Sequence, residues 1–156
     1  LNLSFKDILD TDFIISLDKN LDKIDNEKKE RIVFEILESD YITDYSLLED
    51  FVIKYRNQGI KIAIDDFGTG YSNFAHILKI RPNYIKIDGS LIKNINTDKN
   101  SYELVKSIID FSKALNIKVI AEFVHSREVY ESILNLGVDE FQGFYLGEPS
   151  LNIEWF

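Results

Sequence analysis

The chain predicts an α/β fold built on a mainly parallel sheet, and three observations carry that expectation. Short apolar runs of strand character alternate with segments whose apolar residues recur at helical spacing. Glycine or asparagine stands where helices give way to strands, as at Gly59, Asn116 and Gly137. Several strands are near-continuous apolar runs that stop at a carboxylate, as strands covered on both faces do when their ends open into a site.

Taken in order, Leu1-Asn2-Leu3-Ser4-Phe5 alternates apolar and polar residues, the pattern of a half-buried strand. Phe13, Ile14, Leu17, Leu21 and Ile24 then recur at helical spacing, with Asp10 or Thr11 placed to cap. The charged run from Asp22 to Arg31 reads as a solvated helix end and connection. Arg31 to Ser39 is a second, mostly apolar strand, interrupted by Glu35. A carboxylate there needs a partner, and an ion pair to a core cation and a metal site both satisfy it. Leu47, Leu48, Phe51, Val52 and Tyr55 form one helical face, and Gly59 is placed to end that helix.

A strand over 60–65 follows, then a helix from about Tyr71 to Leu78 carrying Phe74, Ile77 and Leu78, stopped by Arg81-Pro82-Asn83. Tyr84 to Asp88 is the next strand. Its Lys86 lies between two isoleucines and faces opposite to them, where it either snorkels to solvent or gives its charge to a group of carboxylates. Asn100 and Glu103 have the spacing of a capping box and open a helix with Leu104, Val105, Ile108, Ile109 and Leu115 inside it. Lys118 to Glu122 repeats the apolar strand ending in a carboxylate. Val129, Tyr130, Ile133, Leu134 and Leu136 form an amphipathic helix closed by Gly137. Val138 to Tyr145 is the final strand-like run, and Trp155 and Phe156 are expected to cover a core edge.

Within this order one stretch stands out, Lys61-Ile62-Ala63-Ile64-Asp65-Asp66-Phe67-Gly68-Thr69-Gly70-Tyr71-Ser72. Strand side chains alternate between faces, so two adjacent Asp residues cannot both point inward while the strand stays regular. The pair is therefore expected where the strand ends, with Gly68 and Gly70 allowing a sharp turn. A helix-capping turn is one reading of such a pair. The apolar strand before it and the glycines after it favour a site, with oxygen donors suited to Mg²⁺ or Mn²⁺. Glu35, Asp65, Asp66 and Glu122 all fall at or near the carboxyl ends of strands, the face that carries active sites in β/α barrels.

Composition narrows the function further. The chain has 156 residues, 45% hydrophobic and 13% aromatic, enough for one core. Its net charge of −9 gives no affinity for the phosphate backbone of long nucleic acids. A small phosphorylated ligand fits once metal ions neutralise the site. With no cysteine, disulfides and thiolate metal sites are excluded. No apolar run approaches the roughly 20 residues of a membrane span and no signal peptide opens the chain, so a cytoplasmic domain without membrane contact is expected. The absence of methionine, even at position 1, suggests a piece of a longer protein.

The segments Asn2-Leu3-Ser4, Glu35-Ile36-Leu37-Glu38-Ser39, Ile64 to Ser72, Ile85-Lys86-Ile87-Asp88, Val119-Ile120-Ala121-Glu122 and Phe141-Gln142-Gly143-Phe144-Tyr145 resemble, in order and spacing, the bacterial EAL domain family of cyclic di-GMP phosphodiesterases. The resemblance implies an incomplete, modified (β/α) TIM-like barrel, with residues 1–156 as the carboxyl-terminal portion of a single EAL-type domain. It also implies two Mg²⁺ or Mn²⁺ ions and hydrolysis of cyclic di-GMP to linear pGpG. By motif position, Asn2, Glu35 and Asp65 resemble ligands of one metal, and Asp65, Asp66 and Glu122 those of the other. Lys86 resembles the lysine that orients and activates the attacking water. Glu38 matches a glutamate that steadies the loop after the Asp pair, and Gln142 a glutamine of the active-site rim.

Three departures accompany the match. The Glu-Ala-Leu segment that names the family is not in this sequence, and with it go one metal ligand and an arginine that contacts substrate phosphate. Glu122-Phe123-Val124-His125 stands where the family has Glu-Gly-Val-Glu, so Phe123 is expected to crowd the site, and His125 either to face solvent at a helix start or to hydrogen-bond or bind metal in the glutamate's place. Leu37 replaces a threonine, a mild change. A whole barrel needs about 250 residues. The isolated chain is therefore expected to be inactive, and its parent to carry upstream sensory or cyclase domains and to form a homodimer. The alternative is a degenerate module that binds cyclic di-GMP or a protein without turnover.

Overall fold

The computed structural model describes residues 1–38, 45–68 and 74–150. Ser39, the Thr69-Gly70-Tyr71-Ser72 stretch on which a helix start is expected, and the Trp155-Phe156 tail lie outside them. Six strands form one sheet in sequential order, β1 (Asn2–Leu3), β2 (Val33–Leu37), β3 (Lys61–Phe67), β4 (Tyr84–Ile87), β5 (Lys118–Ala121) and β6 (Glu140–Phe141). Every neighbouring pair is parallel. Helices α1 (Phe5–Leu9), α2 (Thr11–Leu21) and α3 (Asn26–Lys29) lie between the first two strands. Single helices α4 (Tyr45–Arg56) and α5 (Phe74–Ile80) make the next two crossovers, α6 (Gly89–Ile92) and α7 (Lys99–Ala114) the fourth, and α8 (Arg127–Leu136) the last. Strand order equal to chain order is the winding of a β/α barrel wall.

Register shows what each sheet face holds. Phe34, Ile36, Ile62, Ile64, Ile85, Ile87 and Val119 alternate on the helix side and are almost fully buried in one core with Leu48, Val52, Ile108 and Ile133. Phe34, Phe51 and Tyr55 meet there at centroid distances of 4.6–6.0 Å. The other face carries Asn2, Glu35, Ala63, Asp65, Tyr84, Lys86 and Ile120, brought level by the ladder pairs Asn2↔Glu35, Glu35↔Ala63, Leu37↔Asp65, Ala63↔Tyr84 and Lys86↔Ile120. Its amino-terminal end is basic, with Lys61 and Lys118 Nζ each 5.9 Å from the centroid of the Tyr84 ring. Its carboxyl-terminal end is acidic. Among the described residues no helix is long and apolar enough to cross a membrane.

Five local expectations are corrected. Strand β1 stops at Leu3, because the Ser4 hydroxyl caps α1 in a reciprocal box with Asp7 and pulls Phe5 into the helix. The charged run after Leu21 contains α3, whose Lys29 is buried. Helix α7 starts two residues earlier than the Asn100–Glu103 spacing implies, since Asp98 accepts from the Asn100 and Ser101 amides. Asp88 leaves β4 to cap α6 through the Ser90 amide at 2.8 Å. The final strand is only Glu140–Phe141, because the chain after Gln142 folds back on the segment following β5.

Candidate active site

The Asp pair sits within β3, not beyond its end. Ile64 pairs with Ile85 and Phe67 with Ile87, so three steps on β3 face two on β4. That extra residue is a β-bulge, and Asp66 adopts φ 54 within it. The bulge resolves the conflict of alternation. Asp65 keeps the interior face, Asp66 is swung toward the same group, and Phe67 returns to the core at 1% exposure. The Asp66 amide donates to Asp65 Oδ1 at 3.1 Å, which fixes the first carboxylate relative to the second. A left-handed conformation at a non-glycine residue costs about 1–3 kcal/mol, and such strain collects at functional sites.

Around this bulge the sheet assembles carboxylates from three strands. Lys86 Nζ lies 2.8 Å from Glu35 Oε2, 2.8 Å from Asp65 Oδ1 and 2.9 Å from Glu122 Oε1. Asp65, Asp66 and Glu122 each offer an oxygen within 4.8 Å of the others. Burial alone would push the Lys86 ammonium down; hydrogen bonds to Asp65, Glu35 and Glu122 outweigh it and hold the group well above the usual lysine range. Burial also raises Asp66 and Glu122, and the neighbouring negative charges add to both, with Asp65 acting on each and Asp88 on Asp66. More negative charge is gathered than one lysine neutralises. An all-oxygen, partly buried donor set of this kind fits a hard divalent cation.

The other singled-out residues take distinct places. Asn2 sits directly across the ladder from Glu35. Glu38 Oε2 accepts from the Gly68 amide at 2.9 Å, tying β2 to the end of the bulged strand, and its buried Oε1 has no partner among the described residues. Gln142 lies with Asp88, Glu122 and Phe123 on the wall of a cleft of about 550 Å³. His125 is exposed, its Nδ1 3.2 Å from the Phe123 carbonyl. Sequence reasoning assigned no role to Asp88. Its charge raises the Asp66 carboxyl and it lines the cleft, and the signal was there in β4 ending on an acid as β5 does.

The cleft has a fixed rim. The Gln142 amide donates to the Ala121 carbonyl at 2.9 Å, the Val124 amide to the Gln142 carbonyl at 3.0 Å, and the Tyr145 amide to the Val124 carbonyl at 3.0 Å. Gly143 lies so close to Val124 that an added Cβ would meet its backbone at 2.3 Å. Phe123 adopts φ 56 on this rim.

The family model for the EAL domain matches residues 1–149. Cyclic di-GMP phosphodiesterase PdeF of Escherichia coli strain K12 is 34% identical over 149 residues, covering 96% of this chain and 20% of that protein. The crystal structure of the EAL domain of Mycobacterium smegmatis DcpA superposes with a TM-score of 0.86 at 25% identity, over 95% of this chain and 66% of that one. The manganese and cy-diGMP complex of Klebsiella pneumoniae BlrP1 gives a TM-score of 0.80 at 28% identity, over 92% of this chain and 37% of that one. The chain thus spans about a fifth of the length of PdeF.

Proposed function

The chain belongs to the EAL domain family, and from that premise we propose that it is the greater part of the catalytic domain of a metal-dependent cyclic di-GMP phosphodiesterase, cleaving one phosphodiester to give linear pGpG. The observation that carries the proposal is the Lys86 ammonium held by Glu35, Asp65 and Glu122 at 2.8–2.9 Å, with Asp66 brought beside them by the bulge. Residues 1–156 form the carboxyl-terminal portion of a single EAL-type domain in this reading. Upstream sensory or cyclase domains and a homodimer belong to the same reading of the whole protein.

Asn2, Glu35 and Asp65 would hold one Mg²⁺ or Mn²⁺ ion, and Asp65, Asp66 and Glu122 the other, with Asp65 shared. When bound, the ions supply Lewis-acid polarisation of the phosphodiester and offset its charge. The chain's own groups do the rest. Lys86, held among Glu35, Asp65 and Glu122, would donate to and orient the attacking water and stabilise developing negative charge. Glu122 and Asp66, set beside Asp65 within reach of one another, would take up the proton the water loses through a carboxylate oxygen not engaged by an ion. Glu38 holds the end of β3 through Gly68, and Gln142 faces the substrate from the rim.

A second reading, a module that binds cyclic di-GMP without turnover, is favoured by one observation: Phe123 projects from the rim where the family pattern has glycine. The deciding experiment is Mn²⁺-dependent hydrolysis of cyclic di-GMP by the full-length protein, followed by chromatography of the products. Turnover that Asp65→Asn abolishes, with the fold retained by circular dichroism, is the expected result. Turnover unchanged in Asp65→Asn refutes the shared-ligand assignment, and binding without turnover in the wild type establishes the second reading.

A further inference from the structure

We propose that Phe123 is a stacking platform for a purine base of the bound nucleotide, an inference that rests on reading the cleft as a nucleotide site. The residue is strained, with φ 56, yet 48% of its surface is exposed. Core burial therefore does not explain why a large ring stands at a position where glycine would be relaxed. Its stem is nevertheless anchored. Gly89 leaves room for it, since a Cβ there would come within 2.7 Å of Phe123 Cβ and 3.1 Å of Cγ. The ring also meets the His125 imidazole, with centroids 5.6 Å apart and planes at 53°. Between these contacts the half-exposed side chain lines the cleft of about 550 Å³ together with Glu122 and Phe144.

Three features select a base over a sugar or phosphate. Every nucleobase offers a π-face, and stacking on an aromatic side chain tolerates small changes in position. Asp88 and Glu148 line the same cleft and match the N–H donors of a base edge, whereas they repel a bare phosphate. The backbone bonds that tie Val124 to Gln142 and Tyr145 hold the ring's base still, so little order is lost when a flat ligand settles on it. Phe123 is then a positioning residue that sets one end of the dinucleotide while the reacting phosphodiester lies over the carboxylates.

The test uses guanosine 5′-monophosphate, which has no diester to hydrolyse, titrated calorimetrically into the full-length protein with Mn²⁺ present. Ribose 5-phosphate, lacking the base, is the control. Phe123→Leu is expected to weaken the nucleotide about tenfold and leave ribose 5-phosphate unchanged, while Phe123→Tyr restores wild-type affinity. Equal or tighter nucleotide binding by Phe123→Leu and Phe123→Gly overturns the stacking role and makes the ring an obstruction. A wild type that hydrolyses cyclic di-GMP but gives this result loses only the stacking inference. A wild type that neither hydrolyses cyclic di-GMP nor binds either guanine nucleotide loses both.

Discussion

Asp66 faces two negative neighbours, Asp65 and Asp88, from a backbone conformation that a side chain seldom adopts. Its carboxyl is raised by burial first and by those charges second. A raised carboxyl binds more protons folded than unfolded, so in the absence of metal its ionisation subtracts stability as pH rises from the ordinary Asp range through the raised value. Below both values the penalty is absent, and above the raised value it is complete. Asp66→Asn is therefore expected to melt above the wild type in chelator at pH 7, with the difference vanishing as the pH falls below the ordinary carboxylate range. The same substitution should abolish Mn²⁺-dependent turnover. Calorimetry across the pH range checks the first part, and a variant that melts below the wild type at pH 7 contradicts it.

At the scale of elements, two loops decide the shape of the cleft. Gly143 has no room for a side chain against the Val124 backbone, and the neighbouring hydrogen bonds run in both directions across that contact. Gly143→Ala should part the β6 turn from the segment after β5, lowering cyclic di-GMP turnover at least tenfold through a higher KM, with a stability loss of about 1–3 kcal/mol. Unchanged KM would separate this contact from the site. The strands themselves were legible because apolar runs such as Ile62-Ala63-Ile64 and Val119-Ile120-Ala121 leave few alternatives, and the acids that end them come together around Lys86. What escaped was decided by single side chains or by contacts distant in sequence. Ser4 and Asp98 chose helix starts by hydrogen bonds that compete with equally plausible caps at neighbouring positions. The bulge at Asp65-Asp66 depends on how β3 registers with β4, information that neither strand holds alone. The shortness of β6 reflects Gly143 docking on Val124, a contact between segments with α8 between them.

Over the whole molecule, the interior sheet face runs from lysines at the amino-terminal ends of the strands to carboxylates at the carboxyl-terminal ends. On a chain of net charge −9, the acidic end concentrates repulsion that a divalent cation relieves. Adding Mn²⁺ to chelator-treated protein should raise the melting temperature by several degrees and excess chelator should reverse it; no shift would mean that the carboxylates do not bind metal in the folded chain. The bulge in β3 carries a consequence for how this chain can change length. Because the interior and helix-facing positions alternate with period two, inserting or deleting one residue between Lys61 and Asp65 exchanges the faces and turns Asp65 toward the isoleucines. The turns between helix ends and strand starts, such as the one at Gln58-Gly59, lie at the opposite end of the sheet and impose no such parity. Length variation that preserves catalysis should therefore collect in the helix-to-strand connections, while the strands leading to the carboxylates keep a fixed count of residues.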